Sequence, residues 1–251
     1  MPRLMDTIEN LQDFTFLTID IFKNISTVKK NYKDTIREMY VIGSQAFLLA
    51  MLGGLFAGVI LAIEAGHSLD KFGAVLLVGR TVSYGMIREL GPVVTGLLLA
   101  ARTSAKNTSE IGAMQLSEQI DALKAFGISP VEKIVVPRVV AALVMFLPLT
   151  LVADITGVVF GMLVTKMTFN VDIVYFWTTA IKVLEFKDIF VGTVKPIFFA
   201  FFIASVSCYY GLKTKGGTTD LGINSISAVV VTTTLVLLID FIFTKVVWEI
   251  M

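Results

Sequence analysis

Among the ionisable side chains inside stretches that are otherwise apolar, four stand out beside Arg80 of the second span: the neighbours Arg88 and Glu89, then Asp154, then Asp240. A charge near the centre of a bilayer costs roughly 3 kcal/mol on insertion scales, so such groups normally face a cavity, a partner or a substrate. Three uses are open to them: touching a polar head group or gate, carrying an ion or proton, or pairing with other helices to hold a bundle together. Arg88 and Glu89 are sequence neighbours and point about 100° apart on a helix, so they cannot simply neutralise each other across one face. Pro92 removes a backbone bond one turn back, which predicts a kink beside the two charges.

Other chemistry finds little support. The single histidine, His67, and the single cysteine, Cys208, make neither a metal cluster nor an intrachain disulfide, and no catalytic residue or metal ligand is assigned. No GxxxxGK[ST] cradle occurs, and the glycines of GLKTKGGTTDLG (211–222) read as a turn. A net charge of +1 gives no reason to expect nucleic acid. No nucleophile–base set or paired-carboxylate site is present, so the chain is not expected to be an enzyme.

The elements that must position the four charges are membrane helices. The composition is 55% hydrophobic with 16% charged residues, and the apolar runs are of bilayer-spanning length. An all-α integral membrane protein follows, with spans near 41–65, 71–101, 134–165, 189–210 and 225–248. Gly54 and Gly58 form a GxxxG pair in the first span, and Asp154, Gly157 and Gly161 share a face of the third. Glu64 and His67 fall near a span end and read as interfacial, as do Tyr175, Phe176 and Trp177.

Ahead of the first span, Leu4, Ile8, Leu11 and Phe14 recur at helical spacing, with Asp6, Glu9 and Asp13 opposite and Lys23, Lys29, Lys30, Lys33 and Arg37 following. This predicts a helix in the membrane interface over 1–39, with packing on the protein's own flank as the alternative. The permease-type membrane domain would then occupy 40–251. Basic residues crowd the N-terminal segment, Arg3 included, and the second-to-third and fourth-to-fifth connections, and Lys195 is counted with the sparser opposite side. The positive-inside rule puts the N-terminus in the cytoplasm and, with five spans, the C-terminus across the membrane.

Between the second and third spans the chain leaves its apolar phase at Arg102, passes a Ser/Thr/Lys/Asn linker, and enters a short amphipathic helix over about 117–127. Leu116, Ile120, Leu123 and Phe126 form an apolar ridge, flanked by Glu118, Gln119, Asp121 and Lys124. Ser117 reads as N-cap and Gly127 as the residue ending the helix, with Pro130 preventing continuation. A cytoplasmic helix of this kind can dock in a groove of another protein.

The strings RELGPVVTGLLLAAR (88–102) and SEIGAMQLSEQIDALKAFGISPVEKIVVPR (109–138) resemble the MlaE (YrbE) permease family, the membrane subunit of MCE-type ABC transporters that move lipids between envelope membranes. The resemblance extends more loosely through Asp154–Gly161 and YYGLKTKGGTTDLG to LLIDFIFT. It departs from the family pattern in the more polar stretch 101–107 and in 218–227, which lacks an arginine often found there. The resemblance implies a homodimeric permease of the bacterial inner membrane, C-terminus periplasmic, with a lipid site of Glu89, Leu90, Pro92, Val93 and Leu97 at the dimer interface. It implies a coupling helix in which Glu118, Gln119, Asp121, Ala122, Leu123 and Phe126 meet a dimer of ATP-binding cassette ATPases, the chain itself holding no cofactor while ATP and Mg sit on that partner. An MCE-domain protein, phospholipid and a small accessory subunit on the ATPase complete the implied set, and Arg88, Asp154 and Asp240 are left as buried structural charges. Two other readings stay open: an ion-coupled carrier using Glu89, Asp154 and Asp240, and a membrane scaffold whose charges only fix helix pairing.

Overall fold

The computed structural model describes residues 4–250, with the side chains of 4–8, 248 and 250 outside the description. Every regular element among them is helical. They are α1 (Leu4–Asn24), α2 (Tyr32–Asp70), α3 (Val78–Gly85), α4 (Gly91–Leu116), α5 (Gln119–Ala125), α6 (Val136–Phe169), α7 (Ile173–Val183), α8 (Phe186–Lys213) and α9 (Gly217–Ile250). Helices long and apolar enough to cross a membrane cover Tyr32–Asp70, Val131–Phe169, Phe186–Lys213 and Gly217–Val247. The second expected span is a composite: a 3₁₀ turn (Val75–Leu77), α3, a π turn (Met86–Leu90) and the start of α4.

Contacts divide the chain into two units. The first holds Met1–Ile42, Ala100–Met145 and Ala200–Val236; the second holds Gly43–Leu99, Phe146–Phe199 and Leu237–Met251.

In the first unit, α1 buries Leu17 and Ile21 and lays Phe14 and Phe22 against Tyr209 and Phe201 of α8. Leu11, Phe16 and Ile19 stay exposed. The helix therefore packs one face on its own chain and keeps a second apolar face outward. Arg3 and the side chains of Leu4, Asp6 and Ile8 lie outside the described residues. The interfacial segment expected to run to residue 39 is divided: a 3₁₀ turn (Ile25–Lys29) ends the α1 region, and α2 begins at Tyr32.

The polar stretch after Arg102 is not a linker but the continuation of α4 to Leu116. Its polarity is internal. Ser104 shares a 2.9 Å hydrogen bond with Thr232, Asn107 donates to Ser207 Oγ at 3.1 Å, and Thr108 donates to the Ser207 carbonyl at 3.0 Å. A buried hydroxyl or amide is tolerated once paired, so composition alone misreads such a segment.

In the second unit, α2 and α6 meet through small residues: a Cβ at Gly54 would overlap the Ala153 carbonyl, and one at Gly58 the Gly157 carbonyl. The GxxxG spacing thus marks a close backbone approach. Ala62, Val82, Met86 and Phe176 form the core beside this contact, and Ser83 Oγ ties α3 to α7 by donating to the Ala180 carbonyl at 2.8 Å. Asp172 caps α7, its Oδ2 accepting from the backbone of Val174 and Tyr175.

Candidate functional site

The charged pair sits on the π turn of the second unit. Pro92 has no N–H to offer the Arg88 carbonyl, and the backbone N–H of Gly91 reaches back to the Met86 carbonyl in the wider π register. The expected kink is realised as this insertion of about one extra residue.

Arg88 and Glu89 go to different partners on α8. The Arg88 guanidinium donates to Asp188 at 3.0 Å and to the Tyr84 hydroxyl. Glu89 Oε2 lies 2.5 Å from Lys195 Nζ, whose side chain is fully buried. Lys195 also donates to Thr244 Oγ1 at 2.9 Å, and Thr244 in turn donates to Glu89 at 3.1 Å. Asp240 Oδ1 is 2.9 Å from the same ammonium, an ion-pair distance, although the angle is not that of a hydrogen bond. Two carboxylates therefore share one lysine, while Arg88 Nε reaches Glu89 only at 3.9 Å. Glu89 keeps 32% of its side chain exposed and Asp240 keeps 19%, so both retain a face for a ligand.

Lys195 is the correction this site makes to the charge count: it belongs to the interior of α8, not to a loop. Asp188, Lys195 and Thr244 are the residues sequence reasoning missed. A lysine six residues inside an expected span was the available signal.

A cavity of about 650 Å³ opens beside Arg88, lined by Arg80, Tyr84, Glu185, Lys187 and Asp188 together with Leu61, Leu69, Leu77, Val183 and Val247. Its wall combines charged and aliphatic side chains, as an amphiphile requires. Of the other residues expected at a lipid site, Leu90, Val93 and Leu97 are half-buried and Pro92 is buried. Leu90 packs against the core around Met86 and Phe176. Asp154 takes no part in the hydrogen bonds and ion pairs of Glu89 and Asp240; its Oδ1 has no hydrogen-bond partner and lies where a Cβ of Gly91 would be.

The short amphipathic helix expected over about 117–127 is present in the first unit as α5, shorter than its sequence pattern suggests. Ser117 does not cap it; its hydroxyl donates to the Ala113 carbonyl in the last turn of α4. Glu118 precedes α5 in the left-handed region, at φ 59°. The far end is a Schellman motif: Gly127, at φ 72°, donates to the Lys124 carbonyl at 2.9 Å, and Ile128 to the Leu123 carbonyl at 3.0 Å. The apolar ridge is split, because Ile120 is buried in the chain whereas Phe126 is 82% exposed. Glu118, Gln119, Asp121 and Ala122 are exposed, and Leu123 is half-buried.

Beside α5, four charges close a ring between α2, α4 and α6. Lys106 pairs with Glu38 at 2.9 Å and Glu110 at 3.5 Å, while Arg138 pairs with Glu38 at 3.4 Å and Glu110 at 2.9 Å. This ring joins α4 and α6, the helices between which α5 is hung.

These features define a polytopic α-helical membrane protein with a charged cluster on an interrupted helix. The family described as Permease MlaE matches residues 35–246. A probable ABC transporter permease protein of Rickettsia typhi is 32% identical over 215 residues, which is 86% of this chain and 83% of that protein. The intermembrane phospholipid transport system permease protein MlaE of Haemophilus influenzae is 30% identical over 220 residues, 87% of this chain and 84% of that protein. A probable ABC transporter permease protein of Synechocystis is 29% identical over 215 residues. The chain belongs to the MlaE permease family, and is a permease subunit of the ABC-transporter kind.

Proposed function

We propose that this permease moves phospholipid between the inner membrane and an MCE-domain protein on the far side, driven by ATP hydrolysis on separate subunits. The observation that carries the reading is the π-turn cluster: Glu89 and Asp240 share the buried Lys195, and the neighbouring Arg88 opens onto an amphiphilic cavity. A phospholipid head group offers charges of both signs to such a wall, and its chains meet Leu90, Val93 and Leu97. Pro92 supports the site from the interior by fixing the turn. Basic residues of the N-terminal segment and of the connection carrying α5 support a cytoplasmic side for both, with the C-terminus periplasmic.

In this reading the exposed face of α5, with Glu118, Gln119, Asp121, Ala122 and Phe126, seats in an ATP-binding cassette ATPase, which holds the ATP and Mg. Leu123 supports that face. Two copies of the permease form the transporter with two ATPases, and a small accessory subunit sits on the ATPase. ATPase closure pushes α5, and the cavity beside Arg88 opens or shuts around a lipid.

The test is purification in mild detergent through a C-terminal tag, with co-purifying proteins and lipids identified by mass spectrometry. An ATPase recovered with phospholipid, the lipid lost in Glu89→Ala, is the expected result. A chain recovered alone after crosslinking in membranes, with no lipid, overturns the reading. In the assembled transporter, Glu118→Lys with Asp121→Lys should abolish lipid-stimulated ATP hydrolysis while thermal unfolding of the permease stays unchanged.

A further inference from the structure

The second unit holds another cavity, of about 230 Å³, whose character differs from the polar one. Ser83 and Ile87 line this cavity, whereas Tyr84 and Arg88 line the other. Two adjacent i, i+4 stripes of one helical segment thus serve two chambers. The remaining wall comes from α6, α7 and α8 and is aliphatic but for Trp177, Thr150, Thr193 and Asp154. Trp177, Ile181 and Ile155 are each partly exposed, so the chamber has an apolar mouth.

Asp154 is the anomaly. It is 6% exposed and lines the cavity; its Oδ1 has no hydrogen-bond partner and is sealed against the Gly91 backbone, where any larger residue would collide, so a ligand in the cavity meets the carboxyl at Oδ2. A buried carboxyl without a partner is costly in any apolar surrounding, and a native structure that keeps one calls for an explanation. A bilayer acyl chain would fill the aliphatic wall and leave the carboxyl unmatched. A cation would have to shed its water to enter. A hydroxyl matches both protonation states, since it donates to a carboxylate and accepts from a carboxylic acid.

We propose that this cavity is a ligand site for a slender aliphatic alcohol, whose hydroxyl pairs with Asp154 and whose chain lies along Ile87, Val158 and Trp177. An apolar cavity of about 150 Å³ takes benzene, so the volume here admits roughly nine or ten non-hydrogen atoms. The occupant touches Ile87 within the π turn and, through Asp154, Gly91 just beyond it, so it braces the turn that carries Glu89. The proposal does not depend on what the transporter carries.

The test uses Trp177 as reporter. The chain's two tryptophans are Trp177 and Trp248, and Trp248→Phe leaves one. The full-length variant in phosphatidylcholine nanodiscs is titrated with 8-bromooctan-1-ol, whose bromine quenches indole fluorescence, and in parallel with 1-bromooctane. The alcohol should give a saturable component above the linear quenching of bilayer-dissolved bromide, and the bromoalkane only the linear part. Asp154→Leu should weaken the saturable component at least fivefold, while Asp154→Asn, which keeps a hydrogen-bonding group, should hold it within threefold. Identical linear quenching by alcohol and alkane overturns the proposal, as does a saturable response that Asp154→Leu leaves unchanged. Recovery of binding in Asp154→Asn separates loss of the site from loss of folding.

Discussion

Two π turns occupy comparable places in their helices and end in opposite circumstances. Met86–Leu90 stands two residues before Pro92, and Val131–Val135 stands two residues before Pro137. Each carries an adjacent pair of opposite charges, Arg88-Glu89 and Glu132-Lys133. The backbone cause is shared: a proline withholds one N–H and the preceding turn widens to accommodate it. The surroundings are not. Lys133 pairs with Asp34 with both side chains 43% exposed, and Glu132 meets Lys30, itself 81% exposed. Around the first turn, Arg88 is 8% exposed, Asp188 4% and Lys195 fully buried. A proline-driven π turn is thus a reusable way to aim charges. Whether it makes a site depends on what the neighbouring helices bring to it.

The sharpest break in this comparison comes from Lys195→Met, which leaves Glu89 and Asp240 facing each other without their shared cation. Removing one partner of a buried ion pair costs about 3–5 kcal/mol, so thermal unfolding in detergent should fall steeply and transport should be lost. The double variant Glu89→Gln with Lys195→Met should regain at least half of the stability, which a double-mutant cycle would read as coupling. Next comes the proline contrast. Pro92→Ala lets the helix return to α register and moves Glu89 off Lys195, lowering lipid transfer by about tenfold, equivalent to 1.4 kcal/mol of barrier. Pro137→Ala should leave transfer unchanged, and an equal loss in both would remove the distinction drawn here. Glu118→Gly relieves a left-handed residue and should raise stability by up to about 1 kcal/mol. Smallest is Lys133→Ala, where an exposed pair is worth within about 1 kcal/mol and transport should not change.

Hydropathy made the long helices legible because burial in lipid demands unbroken apolar runs, and the four that satisfy it fall where the sequence suggests. The Gly54–Gly58 spacing likewise announced a close helix approach. What stayed hidden was pairing at long range. Glu89 meets Lys195 across 106 residues and Thr244 across 155, and no local pattern encodes such a partner. The segment from Thr103 to Thr108 failed for the converse reason: Ser104, Asn107 and Thr108 pair with Ser207 of α8 and Thr232 of α9, so a buried helix looked like a solvated linker. Ile120 and Phe126 read as one ridge because helical spacing aligns them, but the chain buries the first and offers the second.

The left-handed residues at the two ends of α5, Glu118 and Gly127, have a mechanical consequence. Each breaks the run of right-handed backbone, so the seven residues between them form a short helix set off from its neighbours at both ends. Its direction is therefore set by two single residues rather than by the run of α4 or α6, while the ring of Glu38, Lys106, Glu110 and Arg138 ties α2, α4 and α6 to one another.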